Sequence, residues 1–198
     1  MNKKQILLTA FILIALVQLY VPAKMIWQNE TILDSGTEYK FRTAPIDPSD
    51  PLRGKFITLS YSENTIGVEN EKDWIFGEVI YVTLTTGHDG FAKINSISKT
   101  KPAGNQDFIN AKVGFVTVNG SNILTVQYPF NRYYMEESKA PDAEQAYIQS
   151  QLDTTKITYA LVKIRNGNAV LKDVIIDGKS IKEIVKANQK ENKKIKIY

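Results

Sequence analysis

The chain has no cysteine and a single histidine, His88, among its 198 residues. The missing thiols exclude a cysteine nucleophile, a disulfide framework and any cysteine-ligated metal site. One histidine is too few for an HExxH zinc site or a multi-histidine centre, and it removes most imidazole acid/base chemistry. His88 lies in "TTGHDGF", a hairpin-turn setting in which an exposed and idle side chain is the expected reading. Glycine-rich phosphate loops and dinucleotide fingerprints are also missing, and no nucleophile elbow occurs. Neither a metal nor a cofactor is therefore expected. The net charge of +4 is mild, and much of it sits in "KANQKENKKIKIY" at Lys186, Lys190, Lys193, Lys194 and Lys196. Without interleaved aromatic residues this run reads as a solvated basic tail and not a nucleic-acid patch.

Apolar residues make up 43% of the chain, enough for one good core. They are unevenly spread. "ILLTAFILIALVQLYV", from Ile6 to Val21, is 16 residues long, carries no charge and has only Thr9 and Gln18 as polar interruptions. Lys3 and Lys4 precede it as the basic flank that stays on the cytoplasmic side, so the rest of the chain is expected outside. Met25, Ile26 and Trp27 lengthen the run towards the ~20 residues a bilayer requires, with Trp27 suited to the interface. Val21 and Ala23 fit the small-residue positions of a cleavage site, but Pro22 and Tyr20 spoil it, which favours an uncleaved single-pass anchor over a removed signal peptide.

The expected organisation is a cytoplasmic terminus (1–5), an anchor (6–27), a juxtamembrane helix (28–36), an exported β-rich domain (37–180) and a short helix with the basic tail (181–198). In the juxtamembrane stretch Ile26, Trp27 and Leu33 can share a stripe, and Gly36 fits a helix end. Beyond it the pattern changes to period two in "EYKFRT", "FITLSY", "EVIYVTLTT", "FAKINSIS", "INAKVGFVTV", "NILTVQY", "ITYALVKI" and "AVLKDVIID". The fold class read from these is mainly β, an antiparallel α+β domain with one or two short helices. Asn166-Gly167 marks a hairpin between the last two strands. "APDAEQAYIQSQL" reads as a helix with Ala143, Tyr147, Ile148 and Leu152 at helical spacing, and "SIKEIVKAN" as a last amphipathic turn or two with Ile181, Ile184, Val185 and Asn188 on one side. A weak internal repeat aligns Gly90, Ala92, Ile94 and Ile97 with Gly167, Ala169, Leu171 and Val174, giving two candidate β-units at 37–100 and 108–180.

Two stretches carry the candidate chemistry. In "DPSDPLRGKFITLSY" the prolines after Asp47 and Asp50 stiffen the approach to a strand, Arg53 can bridge one carboxylate, and Gly54 allows a bend. Phe56, Thr58 and Ser60 then share one strand face and Ile57, Leu59 and Tyr61 the other. A polar strand entrance explains this stretch without a substrate. In "YPFNRYYMEESKAPDAE", Tyr128, Phe130, Tyr133 and Tyr134 surround Arg132, with Glu136 and Glu137 following, a mixture suited to a binding surface and also to a core strand leading into a helix.

The first stretch also resembles a family of membrane-anchored bacterial proteins named for a GDYXXLXY motif. Gly54, Leu59 and Tyr61 match that motif, whereas Lys55 stands in place of its Asp and Phe56 in place of its first Tyr. The resemblance continues into "YPFNRYYMEES" and "ALVKIRNGNAVLKDVIIDGK". It implies an exported, anchored β-rich domain and no particular activity. The Lys55 substitution means that the motif's Asp is not catalytic or that this copy is inactive, because a lysine cannot serve as a carboxylate base or a metal ligand.

The first function expected is a non-enzymatic binding or assembly module of the envelope, held in the membrane by its helix. It would recognise another integral membrane protein or an envelope ligand through Asp47, Asp50, Arg53, Tyr61, Arg132, Tyr134, Glu136 and Glu137. The alternative is a hydrolase of envelope peptide or glycan using Asp47, Asp50, Glu136 or Glu137. A hydrolase needs those carboxylates to converge in one concave pocket, whereas a binding module leaves them dispersed or arginine-paired on an open face. A third reading, a purely structural spacer, needs no cleft.

Overall fold

A computed structural model describes residues 2–45, 56–104, 106–118, 120–153 and 155–195. The uncharged run and the segment after it form one continuous helix, α1 (Lys3–Ser35). It is long and apolar enough to cross a bilayer, and its apolar stretch packs against nothing else in the protein. Hydroxyls within it are satisfied locally: Thr9 donates to the Gln5 carbonyl, Thr31 to that of Trp27 and Ser35 to that of Thr31. Pro22 lies inside the helix. Its missing N–H removes one helical hydrogen bond without ending the element.

The expected stripe is corrected by the structure. Ile26 and Trp27 are 63% and 76% exposed, and Ile32 is the residue that α1 buries, because only its last turn meets the β-domain. The helix does end at Gly36, whose N–H donates to the Ile32 carbonyl at 2.8 Å. The glycine is needed for space and not for a left-handed turn: its φ is −73°, and a Cβ there would sit 2.5 Å from the Ile32 oxygen and 3.0 Å from that of Ile164.

The strands follow as β1 (Thr37–Ala44), β2 (Phe56–Thr58), β3 (Ser60–Tyr61), β4 (Thr65–Val68), β5 (Val79–Thr86), β6 (Ala92–Ser98), β7 (Phe108–Val118), β8 (Asn122–Gln127) and β9 (Arg132–Tyr134). Then come α2 (Ala140–Leu152), β10 (Thr158–Arg165), β11 (Asn168–Ile176), β12 (Lys179–Ser180) and α3 (Ile181–Ile195). One antiparallel sheet has the order β12-β11-β10-β1-β3, a second β4-β8-β7-β5-β6, and β2 and β9 make a two-stranded ribbon. The sheets curl around one core into a near-barrel. On one side Asn110 N–H donates to the Gly167 carbonyl, tying β7 to the β10–β11 turn. On the other, Phe91 meets Tyr159 edge to face at 5.6 Å while the Arg42 guanidinium stacks on Phe91.

The two hairpins with matching residues fall in different sheets, β5–β6 beside β7 and β10–β11 beside β1. Asn166 and Gly167 both take positive φ, 51° and 82°, as a two-residue hairpin loop requires. "FITLSY" is not one strand. Its alternation is intact, but the chain changes partner at Leu59, whose N–H donates to the Asn131 carbonyl, so that β2 pairs with β9 and β3 with β1.

The two later helices, α2 and α3, also depart from expectation. In α2 the buried residues are Ala140, Ala143, Tyr147 and Ser150, whereas Ile148 and Leu152 are exposed. Polar contacts fix that face: Ser150 accepts from the Thr158 hydroxyl, and the Gln151 amide donates to the Thr43 hydroxyl. Helix α3 buries Ile181 and Val185 but runs for 15 residues, so the basic segment through Lys194 is helical and not a tail, and Asn188 faces solvent.

Candidate binding surface

The end of the first notable stretch and the middle of the second are hydrogen-bonded neighbours. In the β2–β9 ribbon Phe56 pairs with Tyr134, Ile57 with Tyr133 and Thr58 with Arg132. Strand alternation then sorts them by face. Ile57 and Tyr133 point into the core, 1% and 4% exposed. Phe56, Arg132 and Tyr134 share the outer face, where the Arg132 guanidinium lies 4.8 Å from the centre of the Phe56 ring and the Tyr134 ring lies 5.4 Å from it. Cation–π contact at an exposed site is worth about 0.5–1 kcal/mol, enough to favour keeping the guanidinium over the ring. Phe56 is thus a member of this surface that the sequence reading did not single out. Its signal was the strand parity shared with Thr58, and what was missing was the register that places Arg132 and Tyr134 beside it.

Beneath the ribbon the tyrosines serve the core. Tyr61 is buried, and its hydroxyl donates to the Phe130 carbonyl at 2.7 Å. Its ring packs against Phe41, Tyr128 and Phe130 at 5.3–5.9 Å. Burial, helped by Tyr147 and Tyr128 nearby, pushes the Tyr61 phenol well above its ordinary pKa. The Tyr133 hydroxyl donates to Asp173 Oδ1 at 2.9 Å, and burial followed by the Asp173 charge raises its pKa. Tyr128 donates to the Glu63 carbonyl and is raised by burial first and the Glu63 charge second.

The acidic candidates take other places. Glu136 is exposed and pairs with Lys139, three residues on in the turn before α2, at 2.8 Å; Glu137 is exposed beside it. Asp47, Asp50 and Arg53, with Gly54 and Lys55, lie outside the described residues. Among the described residues, two cavities bear on these candidates. One of about 680 Å³ is backed by Leu59, Ser60 and Tyr61 and bordered by Asn64, Lys112 and Gln127. The other, of about 960 Å³, lies between α1 and the β10–β11 turn, and Asn110 and Pro129 line both. Glu136 and Glu137 face neither. Among the described residues no group of three or more His, Asp or Glu side chains is placed to hold a metal ion.

The family model described as GDYXXLXY protein matches residues 18–174. The chain belongs to the GDYXXLXY family. Nothing among curated proteins or solved structures matches it. The structure gives the described part of the GDYXXLXY motif a physical meaning: Leu59 and Tyr61 are core residues on either side of the point where the strand changes sheets. Phe56 occupies the position of the motif's first Tyr and lies on the outer face of the ribbon, where a tyrosine hydroxyl would reach solvent without entering the core.

Proposed function

We propose that this GDYXXLXY protein is a membrane-anchored, extracytoplasmic binding module that captures another integral membrane protein through the outer face of the β2–β9 ribbon. The observation that carries this reading is the Phe56–Arg132–Tyr134 cluster, two tilted aromatic rings and a guanidinium brought together on an open face. Such side chains are the usual anchors of protein interfaces, since they offer large, stiff contact area with directed donors. The anchor supports the reading as well. Helix α1 begins at Lys3, includes both basic residues of the flank and runs into β1 with only Gly36 between them, which keeps the ribbon within reach of other membrane proteins. The exposed setting of Glu136 and Glu137, outside both cavities, suits recognition better than hydrolysis.

The test is photo-crosslinking of the full chain in its native membrane with the crosslinker at position 134, followed by pull-down. Wild type should yield one reproducible membrane-protein adduct, and Arg132→Ala should lose it without a change in melting temperature. An adduct that survives Arg132→Ala undiminished would refute the ribbon as the contact face.

A further inference from the structure

One end of the second sheet carries an apolar patch that neither the ribbon nor the motif accounts for. Ile75, Phe76 and Phe115 are 67%, 61% and 68% exposed, and Val79 beside them is exposed too. Phe76 and Phe115 come from different segments, yet their rings meet at 5.2 Å. The backbone builds this meeting. Gly77 N–H donates to the Val113 carbonyl and Val113 N–H to that of Glu78, which clamps the loop before β5 against β7. In β7 the register with β8 shifts between Val113 and Val116, and this bulge turns Phe115 outward. Lys99 braces the loop from its other side, paired with Glu78 at 2.9 Å and 5.5 Å from the centre of the Trp74 ring. Large apolar side chains grouped on a fixed support, and not scattered singly, mark a contact surface.

Strand direction gives the height of this patch, because three contacts align the second sheet with the first. At the end far from α1, Phe91 ahead of β6 packs on Arg42 of β1 and Tyr159 of β10. Midway, the Tyr39 hydroxyl of β1 donates to Asp107, just before β7. At the near end, Asn110 of β7 donates to Gly167 in the β10–β11 turn. β7 thus descends alongside β10 towards α1, and Asn110 and Gly167 line one cavity with Thr31 and Ile32 of the helix. It continues past that point. Phe115 lies five residues beyond Asn110, about 17 Å of strand and about 13 Å along the axis at a barrel-like tilt of about 40°. That drop equals about nine helical residues back from Ile32, which brings Phe115 level with Lys24. Residues 5–23 carry no charge, and Lys4 and Lys24 bracket them. Twenty helical steps span about 30 Å, the thickness of a bilayer's hydrocarbon core, so Lys24 marks its outer boundary.

We propose that Ile75, Phe76 and Phe115 dock into the outer surface of the bilayer that α1 crosses, at the boundary between headgroups and acyl chains. The inference rests on the reading of α1 as a membrane span. Glu71, Asp73 and Glu78 flank the loop together with Lys72 and Lys99, so charge supplies no net attraction to anionic lipid and the contact is apolar. A second point of attachment beside the helix keeps the β-domain from tilting about the α1–β1 joint.

The chain has two tryptophans, so Phe115→Trp combined with Trp27→Phe and Trp74→Phe places a sole emitter in the patch. With the full chain reconstituted in phosphatidylcholine vesicles, acyl-brominated lipid should quench this emission roughly twofold. Phe91→Trp in the same background puts the emitter at the far end of the sheet and should leave it unquenched. Ile75→Ser with Phe76→Ser should relieve the quenching at position 115, and partial replacement of phosphatidylcholine by phosphatidylglycerol should not alter it. Unquenched emission from position 115, or equal quenching at positions 91 and 115, would overturn the docking, and a requirement for phosphatidylglycerol would overturn its apolar basis. A crosslinker at position 115 that joins two chains, with quenching absent, would assign the patch to a second copy and overturn the bilayer contact. Alkaline carbonate extraction separates the premises: a chain that is released refutes the span and the docking with it, whereas a retained chain unquenched at position 115 refutes the docking alone.

Discussion

Tyr61 belongs to the family motif and was also a binding candidate, and replacing it with phenylalanine separates the two roles. The substitution keeps the ring, and with it the packing on Phe41 and Phe130 at 5.6 and 5.3 Å, and removes only the hydroxyl. That hydroxyl donates to the Phe130 carbonyl in a site where Tyr61 is 4% exposed and Phe130 3% exposed. Removing one partner of a buried hydrogen bond costs about 1–3 kcal/mol, because the carbonyl left behind has already given up water. For a domain of this size about 2 kcal/mol lowers Tm by roughly 4–8 °C. The assay is thermal and denaturant unfolding of the full chain in detergent, followed by near-ultraviolet circular dichroism. Phe56→Tyr, which restores the motif's tyrosine on the outer face, is the control and should stay within about 0.5 kcal/mol of wild type. An unchanged Tm for Tyr61→Phe together with lost capture of the membrane partner would refute the structural account of Tyr61 and return it to the binding surface.

Two further predictions follow from geometry and ionisation. Burial lifts the phenols of Tyr61, Tyr128 and Tyr133, and lifts those of Tyr39 and Tyr147 to about 12. A raised folded-state pKa stabilises the fold fully below the unfolded value near 10 and progressively less as pH climbs towards the folded value. Alkaline titration should therefore show these five phenols ionising only with cooperative unfolding; their non-cooperative titration with the fold intact would contradict the burial argument. Gly167→Ala should destabilise the fold more than a left-handed residue alone does, about 1–2 kcal/mol, because its Cβ would meet the Phe108 ring at 2.5 Å and the Asn110 amide at 2.7 Å. A neutral Gly167→Ala in urea unfolding would mean that the β10–β11 turn is not clamped against β7.

Most long strands were legible because their alternation is their own: β1, β5, β7, β10 and β11 each carry enough period-two residues to declare themselves. The short ones were not. β4, β9 and β12 have four, three and two residues, and they exist because partners already in place accept their backbone groups. The partner change at Leu59 leaves no trace in the pattern, since alternation records which face a residue takes and not which strand lies beside it. The α2 stripe failed for a different reason. Ile148 and Leu152 have the right chemistry for a core, yet the helix turns Ser150 inward because Thr158 supplies its hydroxyl with a hydrogen-bond donor. The same division applies to the surface: Arg132 and Tyr134 stood out as residue types, but Phe56 joined them only through a long-range register. The cavity between α1 and the β10–β11 turn needed tertiary structure in full, since no local signal links an N-terminal apolar helix to a hairpin turn far along the chain.

The joint between helix and domain bears on what such a module can recognise. Gly36 alone separates α1 from β1, and the flanking contacts pin it. Lys163 donates to the Gly36 carbonyl at 3.1 Å, and the Arg165 guanidinium donates to the Ser35 hydroxyl. Glu38 holds Lys172 at 2.8 Å, and that bond, with the charges of Lys172, Lys163 and Lys40, keeps its carboxyl below the usual carboxylate range. Each of these exposed polar contacts is worth little alone. Together they tie the helix exit to the β10–β11 hairpin at three closely spaced positions, Ser35, Gly36 and Glu38, while Ile32 packs beneath. A flexible tether would let the ribbon search many orientations and lose that freedom on binding; a pinned joint gives up the freedom during folding instead. On the proposed function, a partner in the same membrane would meet the Phe56–Arg132–Tyr134 face in one orientation. Recognition through this surface would then depend on where the partner's complementary face stands above the bilayer as much as on its chemistry.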